Sequence, residues 1–276
     1  MSKQLILGVL LVICGLLLST QSERPWIDYN FHLTWFGFLL ISDRIAFRLS
    51  GQSIFSNWRN FLTLAFASAF FWWLYEWANL SLKNWVYPGK YLYDPTEWGI
   101  FATAAFTTVL PHLAISTNIV SGLAKSNFNF VKERMNNLLV TTLILLGIIC
   151  LALVVYIPMY VFPLVWFVTF LILDPVNALQ GRRSLITQIL KRNYKPLVVL
   201  AIAAILAGFW WETINYFIPK WIYPIVPWFW DLPSPITAKY AQMPLAGFLG
   251  YIPFIYSAFA FVELLQIKIP WLKNGN

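Results

Sequence analysis

The chain has 276 residues, of which 59% are hydrophobic, 18% aromatic and only 11% charged, with a formal net charge of +8. A water-soluble domain carries about 25% charged residues, so the composition excludes an ordinary soluble protein and predicts an all-α, polytopic transmembrane helical bundle. The basic excess falls in short loops between apolar stretches, where it sets topology and meets anionic membrane lipids; no nucleic-acid partner is implied.

Eight apolar segments follow one another, at roughly 4–20, 31–49, 61–82, 99–122, 138–156, 158–179, 196–218 and 243–265. Most reach the ~20 residues that cross a bilayer as a helix. The first, within MSKQLILGVLLVICGLLLST, has the layout of a signal peptide, but no good small-x-small cleavage site follows it. It reads as a retained first helix. Cys14 and Cys150 lie inside apolar segments and imply neither a disulfide framework nor a metal site. With the N-terminus in the cytoplasm, fourteen Lys and Arg fall on inner loops and five on outer ones, Arg24, Lys83, Lys90, Lys220 and Lys239. That asymmetry predicts cytoplasmic N- and C-termini, in a bacterial inner membrane.

The second segment, FHLTWFGFLLISD (31–43), matches the sixth, FPLVWFVTFLILD (162–174), 131 residues later, and Ser53 matches Ser184 at the same spacing. The third and seventh end in FFWWLYEWANLSLKNWVYP (70–88) and FWWETINYFIPKWIYP (209–224). Here Glu76, Asn79, Trp85, Tyr87 and Pro88 match Glu212, Asn215, Trp221, Tyr223 and Pro224, 136 residues later. The five extra residues fall around 186–195, as a loop insertion. Two four-helix repeats are therefore predicted, 1–125 and 138–276, joined by a basic cytoplasmic linker at 126–137. Four is even, so the repeats are parallel, related by a pseudo-twofold axis along the membrane normal, with any shared site between matching helices.

At 1.5 Å per residue, Glu76 lies about 25 Å along its helix from Arg59 and about 10 Å from Lys83. It is placed inside the hydrocarbon, just below the outer headgroups, and Glu212 likewise. The i, i+3 spacing puts each Glu on the face of its Asn, and the Trp–Tyr–Pro tail stops the helix at the outer interface. A carboxylate at this depth must pair, take a proton or line a wet cavity. Either Glu and Asn form a polar staple between the halves, or they face a pocket open to the outer leaflet.

Asp43 and Asp174, near the inner ends of their segments, are expected to bond free backbone donors or loop arginines, with Ser53 and Ser184 as turn or N-cap residues. The histidines break the repetition. His32 stands where the second half has Pro163, and His112 follows Pro111 in the fourth segment. His112, with hydroxyl neighbours in sequence, is either a satisfied packing residue or a general base at neutral pH. The candidate catalytic residues are Glu76, Asn79, His112 and His32. The candidate substrate-binding residues are Glu212 and Asn215 with Trp73 and Trp211, whose rings suit an apolar chain. Two histidines cannot supply a di-iron ligand set, and no phosphate-binding loop, CxxC or GxSxG is present. No metal or cofactor is expected.

The FWW-E-x-x-N phrase with its W-x-Y-P tail, and MPLAGFLGYIPF (243–254), resemble phrases of a group of uncharacterised bacterial multipass membrane proteins. A fainter similarity, carried by the W-x-Y segment and the Pro-containing helix after it, is to the integral-membrane lycopene cyclases and related carotenoid-modifying enzymes. Their motif has an acidic pair after the proline, whereas LAGF follows Pro244 here. The resemblance implies a long apolar substrate. Two readings stand: an enzyme acting on a lipid or isoprenoid near the outer leaflet by acid–base chemistry, or a non-catalytic carrier of lipid or small solute, or a subunit of a membrane complex.

Overall fold

The computed structural model describes residues 3–21, 23–24, 26–224 and 237–272. The described chain is almost wholly helical. The main helices are α1 (Lys3–Leu18), α2 (Asn30–Ser50), α3 (Trp58–Leu82), α4 (Pro95–Phe106), α5 (Val109–Leu123), α6 (Asn137–Tyr156), α8 (Val165–Leu179), α10 (Lys195–Phe217) and α11 (Tyr251–Leu264). Two short ones intervene, α7 (Pro158–Val161) and α9 (Leu185–Leu190). The only strands among the described residues are the two-residue Lys239–Tyr240 and Met243–Pro244, paired antiparallel.

Five stretches are long and apolar enough to cross a membrane: Pro95–Leu123, Asn137–Tyr156, Pro158–Leu179, Lys195–Phe217 and Leu245–Leu264. The chain is a membrane protein on that evidence. α2 and α3 have the length, 21 and 25 residues, but carry Asp43, Arg44 and Arg48 in one and Arg59, Glu76 and four tryptophans in the other. α6 shows what surrounds the bundle. It buries only Val140, Gly147, Cys150 and Val154, a narrow stripe near a seven-residue repeat that packs on α8. Leu138, Leu145, Leu146, Ile148 and Ile149 lie exposed on its other faces, which suits hydrocarbon and no other solvent. α1 lies against α2 in the same way, at a Gly8–Gly37 crossing so close that a Cβ on Gly8 would come within 2.9 Å of the Gly37 carbonyl oxygen.

At the centre, α5 packs against α2, α3 and α10, while α11 packs against α8, α10 and α3. The Asp–Ser pairs close two turns in one manner. Asp43 accepts from the Ser53 hydroxyl at 2.6 Å and the Ile54 amide at 2.9 Å. Asp174 accepts from the Ser184 hydroxyl at 2.6 Å and the Leu185 amide at 2.9 Å. Each serine then caps the helical turn that follows. The insertion around 186–195 folds as α9 and the turn after it. Its Gln188 clasps the 126–137 segment, donating to the Val131 carbonyl at 2.8 Å and accepting from the Val131 amide at 3.0 Å. An insertion expected as a spare loop thus ties down the linker.

Past the ends of α3 and α10 the two W-x-Y-P tails meet. Val86 and Ile222 exchange both backbone hydrogen bonds, each 3.0 Å, as a lone antiparallel bridge.

Candidate functional site

Both tails are folded back by the asparagine of their own helix. Asn79 Nδ2 donates to the Trp85 carbonyl at 2.8 Å, and its Oδ1 accepts from the Asn84 amide at 2.8 Å. Asn215 Nδ2 donates to the Trp221 carbonyl and its Oδ1 accepts from the Lys220 amide, again both at 2.8 Å. One side chain so satisfies backbone groups that the helix end leaves without partners. This reversal carries Trp85 and Tyr87 back over Glu76, and Trp221 and Tyr223 back over Glu212.

Glu76 Oε1 accepts three hydrogen bonds, from Trp72 Nε1 at 3.0 Å, Trp85 Nε1 at 2.8 Å and the Tyr87 hydroxyl at 2.6 Å. Glu212 Oε1 accepts from Trp221 Nε1 at 3.1 Å, the Tyr223 hydroxyl at 2.9 Å and the Tyr251 hydroxyl at 3.2 Å. The third donor differs for a steric reason. The position 136 after Trp72 is Gly208, and the Tyr251 ring lies where a Cβ of Gly208 would stand. Burial, then the neighbouring charges, pushes the Tyr87 and Tyr223 hydroxyls well above the ordinary tyrosine value. They stay protonated and remain donors.

All six of these donor rings line one cavity of about 500 Å³, within the range of small-molecule sites. Neither glutamate lines it. The carboxylates stand behind the wall and hold its rings. The tails also cross over. Trp85 stacks on Trp166 of α8, with centroids 5.7 Å apart and planes at 24°. Trp221 meets Trp35 of α2 edge to face at 6.0 Å. Trp35, Trp166 and Trp211 add to the aromatic lining.

The polar lining gathers at one side. Arg24 Nε pairs with Asp28 at 2.9 Å, and the other Asp28 oxygen accepts from the Tyr93 hydroxyl at 2.9 Å. Burial, then that bond, raises Tyr93 to about 12. Lys220 also lines the cavity. His32 Nε2 lies 2.8 Å from the Phe101 carbonyl. A carbonyl only accepts, so Nε2 carries a proton, and the ring also interacts with the Asp28 backbone.

Of the residues singled out from sequence, His32 and Trp211 reach the cavity. Glu76 and Glu212 stand one layer behind it, and Asn79 and Asn215 tie the tails to the helix ends. His112 is buried against Trp35, Phe38 and Trp211 and does not line the cavity. Trp73, on another face of α3, donates to Thr103 Oγ1 at 3.1 Å and is absent from the lining. Sequence reasoning passed over Arg24, Asp28, Tyr93, Lys220 and Tyr251. Two signals were there: Lys220 facing Asn84, and Gly208 facing Trp72, at the 136-residue spacing. Among the described residues no group of three His, Cys, Asp or Glu side chains is placed to hold a metal ion. No protein-family model, curated protein or solved structure matches the chain.

Proposed function

We propose that this chain is an eight-helix bundle of two parallel four-helix repeats, with both termini cytoplasmic in a bacterial inner membrane. Its aromatic cavity, near the outer leaflet, takes up the apolar body of a lipid or isoprenoid molecule. The observation that carries this reading is the cavity itself: six rings, fixed in place by two carboxylates, line about 500 Å³ of mostly apolar space. Fixing the rings in advance lowers the ordering cost of binding. The paired turns at Asp43 and Asp174 and the paired asparagine clasps support the repeat. The isoprenoid class is what the similarity to carotenoid-modifying enzymes implies.

On this reading Glu76 and Glu212 are positioning residues, and the protein binds or carries its ligand. The reading as an enzyme keeps one specific support, His32 on the lining, a residue type that can accept a proton from a bound molecule.

Mass spectrometry of lipids extracted with the purified protein tests the first reading. Wild type retains a defined lipid or isoprenoid species, and Ala105→Trp, which fills the cavity, loses it. The same bulk lipids from both proteins sink the proposal. Replacing His32 by Gln then separates carrier from enzyme, since a change in the chemical identity of the retained species requires catalysis.

A further inference from the structure

The two W-x-Y-P tails agree in every group that holds them, yet they differ at the residue just before the tryptophan. It is Asn84 in one and Lys220 in the other, and both give their backbone N–H to the clasping asparagine at 2.8 Å. The difference has no part in the clasp, so it is free to serve something else. Only Lys220 lines the cavity.

Lys220 is half-buried and forms no ion pair among the described residues. Burial lowers it from the ordinary lysine value, opposed only in part by Asp28. Among the described residues Asp28 is the one carboxylate on the lining, and its oxygens are already taken by Arg24 and Tyr93. Among the described residues the lining carries two cations, Arg24 and Lys220, and Arg24 is held by Asp28 at 2.9 Å and by Glu97 at 3.2 Å, so Lys220 is the one left without an ion pair. A desolvated ammonium without a partner is costly unless an anion joins it.

We infer that the cavity's ligand is an amphiphile with an anionic headgroup, its charge seated against Lys220 at the polar side and its apolar body among the tryptophans. The inference rests on the cavity-binding reading above and adds the chemistry of the head.

The test measures binding to the full-length protein in neutral dodecyl maltoside micelles, by quenching of tryptophan fluorescence with chain-brominated lipids. Three probes are used: dioleoylphosphatidic acid, dioleoylglycerol with the same chains and no charge, and inorganic phosphate as competitor. Phosphatidic acid is expected to bind at least about tenfold more tightly than diacylglycerol, the value of a hydrogen bond to a charged group. K220Q brings the two lipids to parity, K220R keeps the preference, and A105W abolishes binding of both. Parity in wild type, or a preference that survives K220Q, overturns the headgroup inference while the cavity reading stands. Binding of neither lipid, or binding unchanged in A105W, overturns the cavity reading and this inference with it. Displacement by inorganic phosphate at concentrations comparable to the lipid identifies a site for free anions and overturns the amphiphile.

Discussion

Val86 and Ile222 stand 136 positions apart and give each other both N–H donors and both carbonyl acceptors, at 3.0 Å each way. The same spacing separates Glu76 from Glu212 and Asn79 from Asn215. A rotation that carries one tail onto the other therefore maps this bridge onto itself. The two tails are joined where such an axis would pass, and each then departs to cover the helix of the other half.

The carboxylates hold the cavity wall from behind, so removing one loosens rings before it touches a ligand. Glu76→Ala leaves Trp72, Trp85 and Tyr87 without their shared acceptor. Buried donors left unpaired cost about 1–3 kcal/mol each, so a loss of about 3 kcal/mol or more is expected, read from thermal unfolding in micelles. Glu76→Gln keeps an acceptor oxygen and loses about 1 kcal/mol. A Glu76→Ala protein that melts like wild type would show that these bonds hold nothing.

The asparagine clasps are predicted to matter equally. Asn79→Ala and Asn215→Ala each strand one backbone carbonyl and two amides, at about 2 kcal/mol apiece. Asn→Asp keeps the acceptor and loses the donor, and falls between alanine and wild type. Limited proteolysis reports the outcome, with new cleavage near residue 84 in one variant and near 220 in the other. Cleavage at neither site contradicts the clasp.

Trp85 and Trp166 belong to opposite halves of the chain and stack face to face. A double-mutant cycle with Trp85→Ala and Trp166→Ala should return a coupling of about 0.5–1.5 kcal/mol beyond area loss. Additive effects would place the two rings apart in the working protein.

Lys220 supplies a pH dependence of definite sign. Its folded-state value lies below 10.5, because burial disfavours the ammonium and Asp28 restores only part. Between that lowered value and 10.5 the unfolded chain binds more protons than the folded one. In the absence of ligand, stability therefore rises with pH across that window and is reduced below it. Asp28 and His32 face the same space and are common to both proteins, so the difference between wild type and Lys220→Met isolates the lysine. Unfolding midpoints from pH 7 to 10 should converge from below on those of Lys220→Met. A constant gap sinks the prediction.

Sidedness can be read with single cysteines on a background lacking Cys14 and Cys150. An impermeant maleimide added to intact cells should label a cysteine at Lys90 and spare one at Arg192. The reverse pattern inverts the proposed topology.

The helical segments were legible because a bilayer demands long apolar runs, and α6 or α10 can hardly be read otherwise. The kinks were not. The fourth segment breaks at Thr107–Thr108 into α4 and α5, where the Ser68 hydroxyl of α3 donates to the Phe106 carbonyl at 2.6 Å and accepts the Leu110 amide at 3.0 Å. That exchange joins residues some forty positions apart, which periodicity does not reveal. Depth along the helix marked out Glu76 and Glu212, and each gathers three side-chain donors. Depth says nothing of which way a carboxylate faces, so their place behind the wall needed coordinates. His112 and Trp73 looked chemical from their company in sequence, but a helix turns 100° per residue and presents them elsewhere. Arg24 and Asp28 share the connection between α1 and α2, Tyr93 comes from the one between α3 and α4, and only tertiary structure gathers the three at one rim.

The crossing of the tails bears on how such a chamber can change over time. On the two-copy reading, a single repeat would have built it only by meeting a twin, and any new side chain would have appeared on both walls at once. Covalent fusion lifts that restriction. A lone cation can then sit opposite an amide, and a bare glycine opposite an indole, without disturbing the shared frame. The chamber gains a head and a tail end, and a molecule entering it gains a direction.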